Sequence, residues 1–159
     1  MTHATTTEKQ DALARLATIE GRWTGQTTLW MEPEKPALEG LFTLTAERVS
    51  DGEAVLVRYE GKHGEHAAIG TMLLGFDRQK GEVHATWVDS FHTGDGPMVL
   101  TGALRDGVVA DVVGTYYWES QPFGWRIEIR HSGADTLEWR MFNRMDQEYP
   151  ATACTFKRV

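Results

Sequence analysis

Turn-forming residues recur through most of the chain, and their regular spacing constrains the fold more than any other feature of the sequence. From Gly21 onward, Gly and Pro signals follow one another at intervals of roughly 10 to 15 residues. They occur at 33–36, Asp51-Gly52, His63-Gly64, Lys80-Gly81, 94–97, Asp106-Gly107, Gln121-Pro122 and Ser132-Gly133. Because each signal separates two short strand-like runs, the pattern predicts a series of β-hairpins.

About ten strand-like runs lie between these turns. We predict strands at 22–31, 40–49, 53–62, 65–76, 82–91, 98–104, 108–118, 124–130, 136–144 and 149–157. Consecutive hairpins predict an all-β, up-and-down antiparallel sheet, and closure into a barrel is expected because it leaves no strand edge unpaired. The predicted fold class is therefore a closed antiparallel β-barrel of about ten strands.

The alternation of apolar and charged residues predicts which side chains point into this barrel. Trp125, Ile127 and Ile129 alternate with Arg126, Glu128 and Arg130, and the side-chain period of a strand is two. The same reasoning predicts an inner face rich in large side chains, among them Trp23, Tyr59, Trp125, Trp139, Met141 and Phe156. About ten strands enclose more space than eight, so an internal cavity for an apolar or amphipathic small molecule is expected.

The N-terminal segment predicts a short helix that plugs or flanks the barrel. Apolar residues of 8–19 recur at helical spacing, with Thr7 as the predicted N-cap and Gln10 three residues on. Residues 1–7 are small and polar and are predicted to form a disordered tail. Residues 8–159 are predicted to form a single domain.

Composition excludes several partners and sites. The net charge of −7 argues against nucleic acid or an anionic membrane surface as a partner. No secretory signal or long apolar run is present, so a cytoplasmic location is expected. The single cysteine, Cys154, is predicted to be a buried core residue. His63, Glu65 and His66 are too sparse a group for zinc, and neither a metal nor a cofactor is expected.

Four short motifs resemble a known family. They are Gly21-x-Trp23-x-Gly25, Gly75-Phe76-Asp77, Trp87-Val88-Asp89-Ser90 and a C-terminal Lys157-Arg158. Together they resemble a bacterial lipocalin-like family of unknown function within the calycin superfamily. The resemblance implies a barrel of the lipocalin and fatty-acid-binding-protein type, with Arg158 packed across Trp23 at its closed end. It implies no established ligand or activity.

The fifth predicted strand carries the polar residues that invite a catalytic interpretation. Asp89, Ser90 and His92 resemble a triad in composition, but neighbours on a regular strand point to opposite faces. We therefore expect no serine hydrolase. The favoured function is binding of a small hydrophobic or amphipathic molecule inside the barrel. The predicted ligand-binding residues are Tyr59, Trp87, Asp89, His92, Trp125, Trp139 and Met141, with Trp23 and Arg158 as structural residues.

Other functions remain open on the sequence. An isomerase or hydrolase of a hydrophobic substrate would use Asp89 or His92 as its base. Some ten-stranded barrels hold haem through one histidine, for which His92 or His131 could serve. A protein-interaction module is the third alternative. Separately, the aromatic cluster Trp118, Phe123 and Trp125 has two interpretations, a hydrophobic lip that guards the cavity or a surface patch that forms a homodimer.

Overall fold

Ten antiparallel strands form a closed barrel in the computed structural model, which describes residues 3–159. Each strand pairs with its neighbours in sequence, and β1 pairs with β10 to close the sheet. This confirms the predicted fold class. The elements are α1 (Thr6–Ala17), β1 (Gly21–Leu29), β2 (Leu38–Val49), β3 (Ala54–His63), β4 (His66–Asp77), β5 (Glu82–Asp89), β6 (Met98–Ala103), β7 (Ala110–Trp118), β8 (Gln121–Gly133), β9 (Thr136–Arg144) and β10 (Glu148–Arg158).

The helix begins earlier than predicted, because its capping residue is Thr5. The Thr5 hydroxyl accepts from the Glu8 backbone N–H at 3.1 Å, and the Thr5 N–H donates to the Glu8 carboxylate at 2.6 Å. This reciprocal pair satisfies two backbone groups, and the Glu8 charge favours the first turn. The predicted Thr7 N-cap is therefore wrong. Thr6 and Thr7 already belong to α1, and the first two residues of the predicted tail lie outside the described residues.

One hairpin turn also lies elsewhere than predicted. Glu119 and Ser120 form the β7–β8 turn with positive φ values of 48° and 66°, so the prediction of Gln121-Pro122 is wrong. Two successive residues with positive φ match the tight hairpin turn that suits twisted strands. Pro122 lies in β8 instead, and β9 pairs with β8 only from Gly124 onward. No neighbouring strand therefore needs the N–H that proline lacks.

The two faces of the sheet differ as the alternation predicts. The six large side chains expected inside are all buried, namely Trp23, Tyr59, Trp125, Trp139, Met141 and Phe156. On the outer face, Arg126 contacts Asp111 at 3.1 Å, and it lies 2.8 Å from Glu148. Its hydrogen bond to Glu148 raises the pKa of Arg126 despite partial burial.

The helix closes one end of the barrel. Leu16 and Ile19 are fully buried there, and the Trp23 indole N–H donates to the Ile19 carbonyl at 2.9 Å. The Arg158 guanidinium carbon lies 4.1 Å from the Trp23 ring centroid, in the stacked arrangement that the resemblance implied. Arg158 also donates to the Glu20 carbonyl at 2.6 Å. One side chain of the last strand thereby fixes the helix to the first strand.

The β6–β7 ladder is the shortest in the barrel. Only Leu100 with Gly114 and Thr101 with Val113 are paired there, whereas six residue pairs join β5 to β6 and nine join β7 to β8. Apart from this seam, the wall is continuous. In the described chain, the single helix falls short of the length and apolar character that crossing a bilayer requires.

Candidate functional site

A row of three residues across β3, β4 and β5 forms the centre of the site. Tyr59 pairs with Gly70, and Gly70 pairs with Asp89. A side chain at Gly70 would collide with the Tyr59 ring, so the glycine leaves the space through which that ring crosses β4. The Tyr59 hydroxyl donates to Asp89 Oδ2 at 2.5 Å and accepts from Trp87 Nε1 at 2.8 Å. A continuous buried hydrogen-bond network results.

Asp89 also turns the chain at the end of β5. Its Oδ1 accepts from the backbone N–H groups of Phe91 at 2.5 Å and His92 at 2.6 Å. These bonds compete with ladder pairing, so the strand ends at Asp89 and does not continue to Phe91 as predicted. His92 therefore folds back, and its Nδ1 lies 3.5 Å from Asp89 Oδ1. That separation suits an ion pair but does not meet hydrogen-bond geometry.

The turn divides the predicted polar group in two. Asp89 and His92 approach each other inside the barrel mouth. On one regular strand these polar residues were not expected to converge. Ser90 points outward, where its hydroxyl accepts from the Ile69 N–H at 2.9 Å. The Ser90 hydroxyl is thus on the other side of the barrel wall from Asp89 and His92.

Burial and hydrogen bonding act in opposite directions on the acid. Burial raises the pKa of Asp89, but the contacts from His92 and Tyr59 outweigh it and leave that pKa below the ordinary value. Burial, followed by the neighbouring Asp89 charge, raises the pKa of Tyr59 well above its usual range. Asp89 is therefore an ionised acceptor at neutral pH, and Tyr59 is a neutral donor.

His63 is a further buried polar group in the barrel. Burial lowers its pKa to about 4, with an additional contribution from His92. The ring packs 4.7 Å from the Phe42 ring centroid, and its Nε2 has no hydrogen-bond partner among residues 3–159. His63 is consequently a neutral imidazole in the folded protein.

Side chains nearly fill the barrel interior. The lumen has a volume of about 30 Å³, which is room for about two water molecules. The prediction of a ligand-sized interior from the strand number is therefore wrong. Large aromatic side chains occupy the additional space that ten strands enclose relative to eight. Its walls are formed by Phe42, Leu44, Tyr59, His63, Ala68, Asp89, His92, Trp139, Met141, Thr152, Cys154 and Phe156.

A larger cavity lies at the open end of the barrel. It has a volume of about 190 Å³, which is below the roughly 300–1,000 Å³ of pockets for drug-sized ligands. We call it the mouth cavity. Its walls come from the end of β1, the β1–β2 loop, the turn after β5, strands β8 to β10 and the β9–β10 loop, namely Leu29, Trp30, Met31, Glu32, Pro33, Phe91, His92, Trp125, Asn143, Met145, Tyr149, Pro150 and Ala151. His92 is the one residue of the described chain that lines both cavities.

The predicted site residues divide between these spaces. Five of the seven line the lumen, namely Tyr59, Asp89, His92, Trp139 and Met141. Trp125 lines the mouth cavity beside His92, with their ring centroids 5.3 Å apart. Trp87 lines neither cavity. It is fully buried, stacks on Trp125 at 5.9 Å and holds the Tyr59 hydroxyl.

Two polar lumen residues, His63 and Thr152, were missed, although alternation along their strands indicates both. His63 was assigned to a turn, although it continues the inward series of Val55, Val57 and Tyr59 at period two. Thr152 was also within reach of this reasoning, because it continues the inward series of Phe156 and Cys154 at period two, and the bulge of β10 begins only before Thr152. The predicted core residue Cys154 also lines the lumen, and burial raises the pKa of its thiol.

The two histidines considered as haem ligands, His92 and His131, lie at different ends of the barrel. No group of three or more ligating side chains that could hold a metal ion occurs within residues 3–159. His131 lies at the closed end, where its Nε2 is 3.0 Å from the Thr18 hydroxyl and its ring packs against Trp23. His92 lines cavities that are far smaller than a haem requires.

Solved structures share this architecture. The crystal structure of Rv2717c from M. tuberculosis superposes with a TM-score of 0.65, covering 93% of this chain and 97% of its own, at 16% sequence identity. The S-type phycobiliprotein lyase CPES from Guillardia theta superposes with a TM-score of 0.58, covering 95% of this chain and 97% of its own, at 10% identity. Similarity at these identities shows a common fold alone.

Sequence comparison gives a family and no individual relative. A family model described as "Protein of unknown function (DUF1579)" matches residues 8–158. No curated protein matches the chain.

Proposed function

The chain belongs to the DUF1579 family of proteins of unknown function, and we propose that it is a lipocalin-like protein that binds a small, mainly apolar molecule at the mouth of its barrel. The observation that carries this proposal is the mouth cavity of about 190 Å³, which aromatic and aliphatic side chains surround. Sites of this kind take up ligands by removing apolar surface from water.

The position of His92 supports a ligand that reaches inward. Its ring forms the shared wall of the mouth cavity and the lumen. It lies on the turn after β5, and loop segments are generally more mobile than the strands they connect. Rotation of this ring would join the two spaces, and a ligand body in the mouth would then extend toward Tyr59 and Asp89. Trp87 would position Tyr59 without touching the ligand.

Native mass spectrometry of the purified protein tests the proposal directly. We expect a bound small molecule, or its uptake when the protein is incubated with extracts of the producing cells. A matched pair of variants locates the site. Ala151→Leu adds volume inside the mouth cavity, whereas Ala153→Leu adds it on the same strand outside that cavity. Loss of binding in both variants, or in neither, would contradict the proposed location.

An enzyme is the second candidate function, and the pairing of Asp89 with His92 favours it. Both residues are inside the barrel, and CPES from Guillardia theta, whose structure is similar, is a phycobiliprotein lyase. Asp89 is a poor base because its pKa lies below the ordinary value, which leaves His92 as the base. NMR spectra of the bound molecule before and after incubation decide the matter, since an unchanged spectrum counts against catalysis.

A cytoplasmic location belongs to the same proposal. It stays a prediction, and fractionation of the producing cells followed by immunodetection would test it.

A further inference from the structure

The Asp, Glu, Lys and Arg residues that line the two cavities are all acidic. Asp89 lines the lumen and Glu32 lines the mouth cavity, while the linings contain no Lys or Arg among residues 3–159. The lumen histidine His63 is neutral because burial lowers its pKa. Lys35, which is outside the lining, pairs with Glu32 at 2.6 Å. Within the described residues, a ligand therefore enters a lining that has no Lys or Arg, and Asp89 is its one carboxylate without a Lys or Arg partner.

Hydrogen bonds, not a basic side chain, balance the charge of Asp89. Its oxygens accept from the Tyr59 hydroxyl and from the backbone N–H groups of Phe91 and His92. Asp89 itself is only 4% exposed, and charges interact strongly in such poorly solvated surroundings. A ligand carboxylate placed nearby would be repelled. A ligand ammonium would lose its hydration, and the Asp89 carboxylate already accepts three hydrogen bonds, which leaves little acceptor capacity to replace that hydration.

One residue of the mouth-cavity wall has a buried donor without an acceptor. Trp125 Nε1 is buried and has no hydrogen-bond partner in the described chain, and the same holds for both ring nitrogens of the adjoining His92. Buried indole N–H groups usually have an acceptor. A ligand oxygen at this point would satisfy Trp125, and the His92 ring would lie within reach of the same group.

We infer that the ligand is an uncharged apolar molecule that carries an oxygen acceptor, such as a hydroxyl, carbonyl or carboxamide, and that the site rejects carboxylates. The inference rests on the proposed function, because it names the chemical class that the mouth cavity takes. It separates this barrel from one that binds fatty acids through a basic residue.

Three probes with the same eight-carbon chain test the inference, namely octanamide, octanoate and octylamine. Isothermal titration calorimetry at about pH 7.5 keeps the carboxylate and the amine ionised. We expect octanamide to bind at least about tenfold more tightly than either charged probe. Equal or tighter binding of octanoate or octylamine would overturn the inference and leave the proposed function intact. Binding of none of the three would count against the proposed function itself.

Variants then test separately the rejection of carboxylates and the preference for an oxygen acceptor. Asp89→Asn and, at the mouth, Glu32→Gln should each reduce the difference in affinity between octanoate and octanamide. Trp125→Phe should weaken octanamide while 1-octene, which has no acceptor, binds as before. Trp118→Phe is the matched control, because Trp118 is exposed and lines neither cavity. If the affinity difference between octanoate and octanamide were unchanged in both Asp89→Asn and Glu32→Gln, the proposed rejection of carboxylates would be wrong. An unchanged octanamide affinity in Trp125→Phe would contradict the proposed role of the oxygen acceptor.

Discussion

Tyr59 is the residue on which the buried polar network depends, since its hydroxyl joins Trp87 to Asp89. Tyr59→Phe leaves a buried indole donor and a buried carboxylate oxygen without their partner. We expect a loss of about 2–4 kcal/mol in the free energy of unfolding, measured by urea denaturation. Tyr117→Phe, at a largely exposed tyrosine, is the control and should change nothing measurable. A cost equal to that of the control would show that the network does not stabilise the fold.

His63 makes stability depend on pH. Its pKa is about 4 in the folded protein against an ordinary value of 6.5, so the unfolded chain binds a proton at a pH where the folded chain does not. Stability should therefore fall as the pH drops from 6.5 to 4, by on the order of 3 kcal/mol. The lowered pKa of Asp89 acts in a separate window, below its ordinary 3.8.

Denaturant titrations at several pH values measure this effect. His63→Phe keeps a ring beside Phe42 and removes the titrating group, so most of the slope between pH 6.5 and 4 should disappear. An unchanged slope in the variant would assign the pH dependence to other groups.

At the scale of elements, β4 contains two glycines that should respond differently to substitution. A Cβ at Gly70 would collide with the Tyr59 ring, whereas a Cβ at Gly75 would lie 3.7 Å from its nearest neighbour, the Glu53 carbonyl. Gly70→Ala should therefore displace Tyr59 and cost about 2–4 kcal/mol. Gly75→Ala should stay within about 1 kcal/mol of the parent.

Thermal unfolding, with the near-ultraviolet circular dichroism of the buried aromatics as a second readout, separates the two variants. Equal melting temperatures would show that the ring passes over β4 without needing the glycine.

The ten strands could be predicted because two signals agree along the whole chain. Period-two alternation gives the face of each strand, and Gly-containing turns give most of its ends. The prediction is wrong where a local side chain decides the geometry. Thr5 captures the helix start, and Glu119 with Ser120 adopt positive φ although neither is glycine. Residue type alone did not indicate those conformations.

The candidate site was predictable in part for the same reason. Alternation places Tyr59 and Asp89 inside, and it would also have placed His63 there. The return of His92 toward Asp89 depends on two backbone hydrogen bonds that exist only after the strand ends. The volume of the lumen depends on how the aromatic rings pack, and strand number carries no information about that.

For the whole molecule, the expected homodimer stays a prediction. At the β7–β8 tip, Tyr117 is 67% exposed and Trp118 is 65% exposed, while Trp125 is buried and belongs to the mouth cavity. Exposed aromatics of this kind favour association, so we expect a concentration-dependent dimer in sedimentation velocity. Replacing Tyr117 and Trp118 with Ser should shift it toward monomer, and Val99→Ser on the outer face of β6 is the control. A monomer at every concentration would contradict the prediction.

The short β6–β7 ladder gives the cylinder a line along which it can separate while the other nine ladders stay intact. Backbone amides beside this seam should exchange with deuterium quickly, because local opening exposes them. The amides of β8 and β9 should exchange much more slowly, because their exchange requires global unfolding. Separation of β6 from β7 would provide a route into the lumen that does not pass His92. If molecules enter that way, their uptake rate should follow the exchange rate at Leu100 and Thr101, and substitutions around the mouth should leave it unchanged.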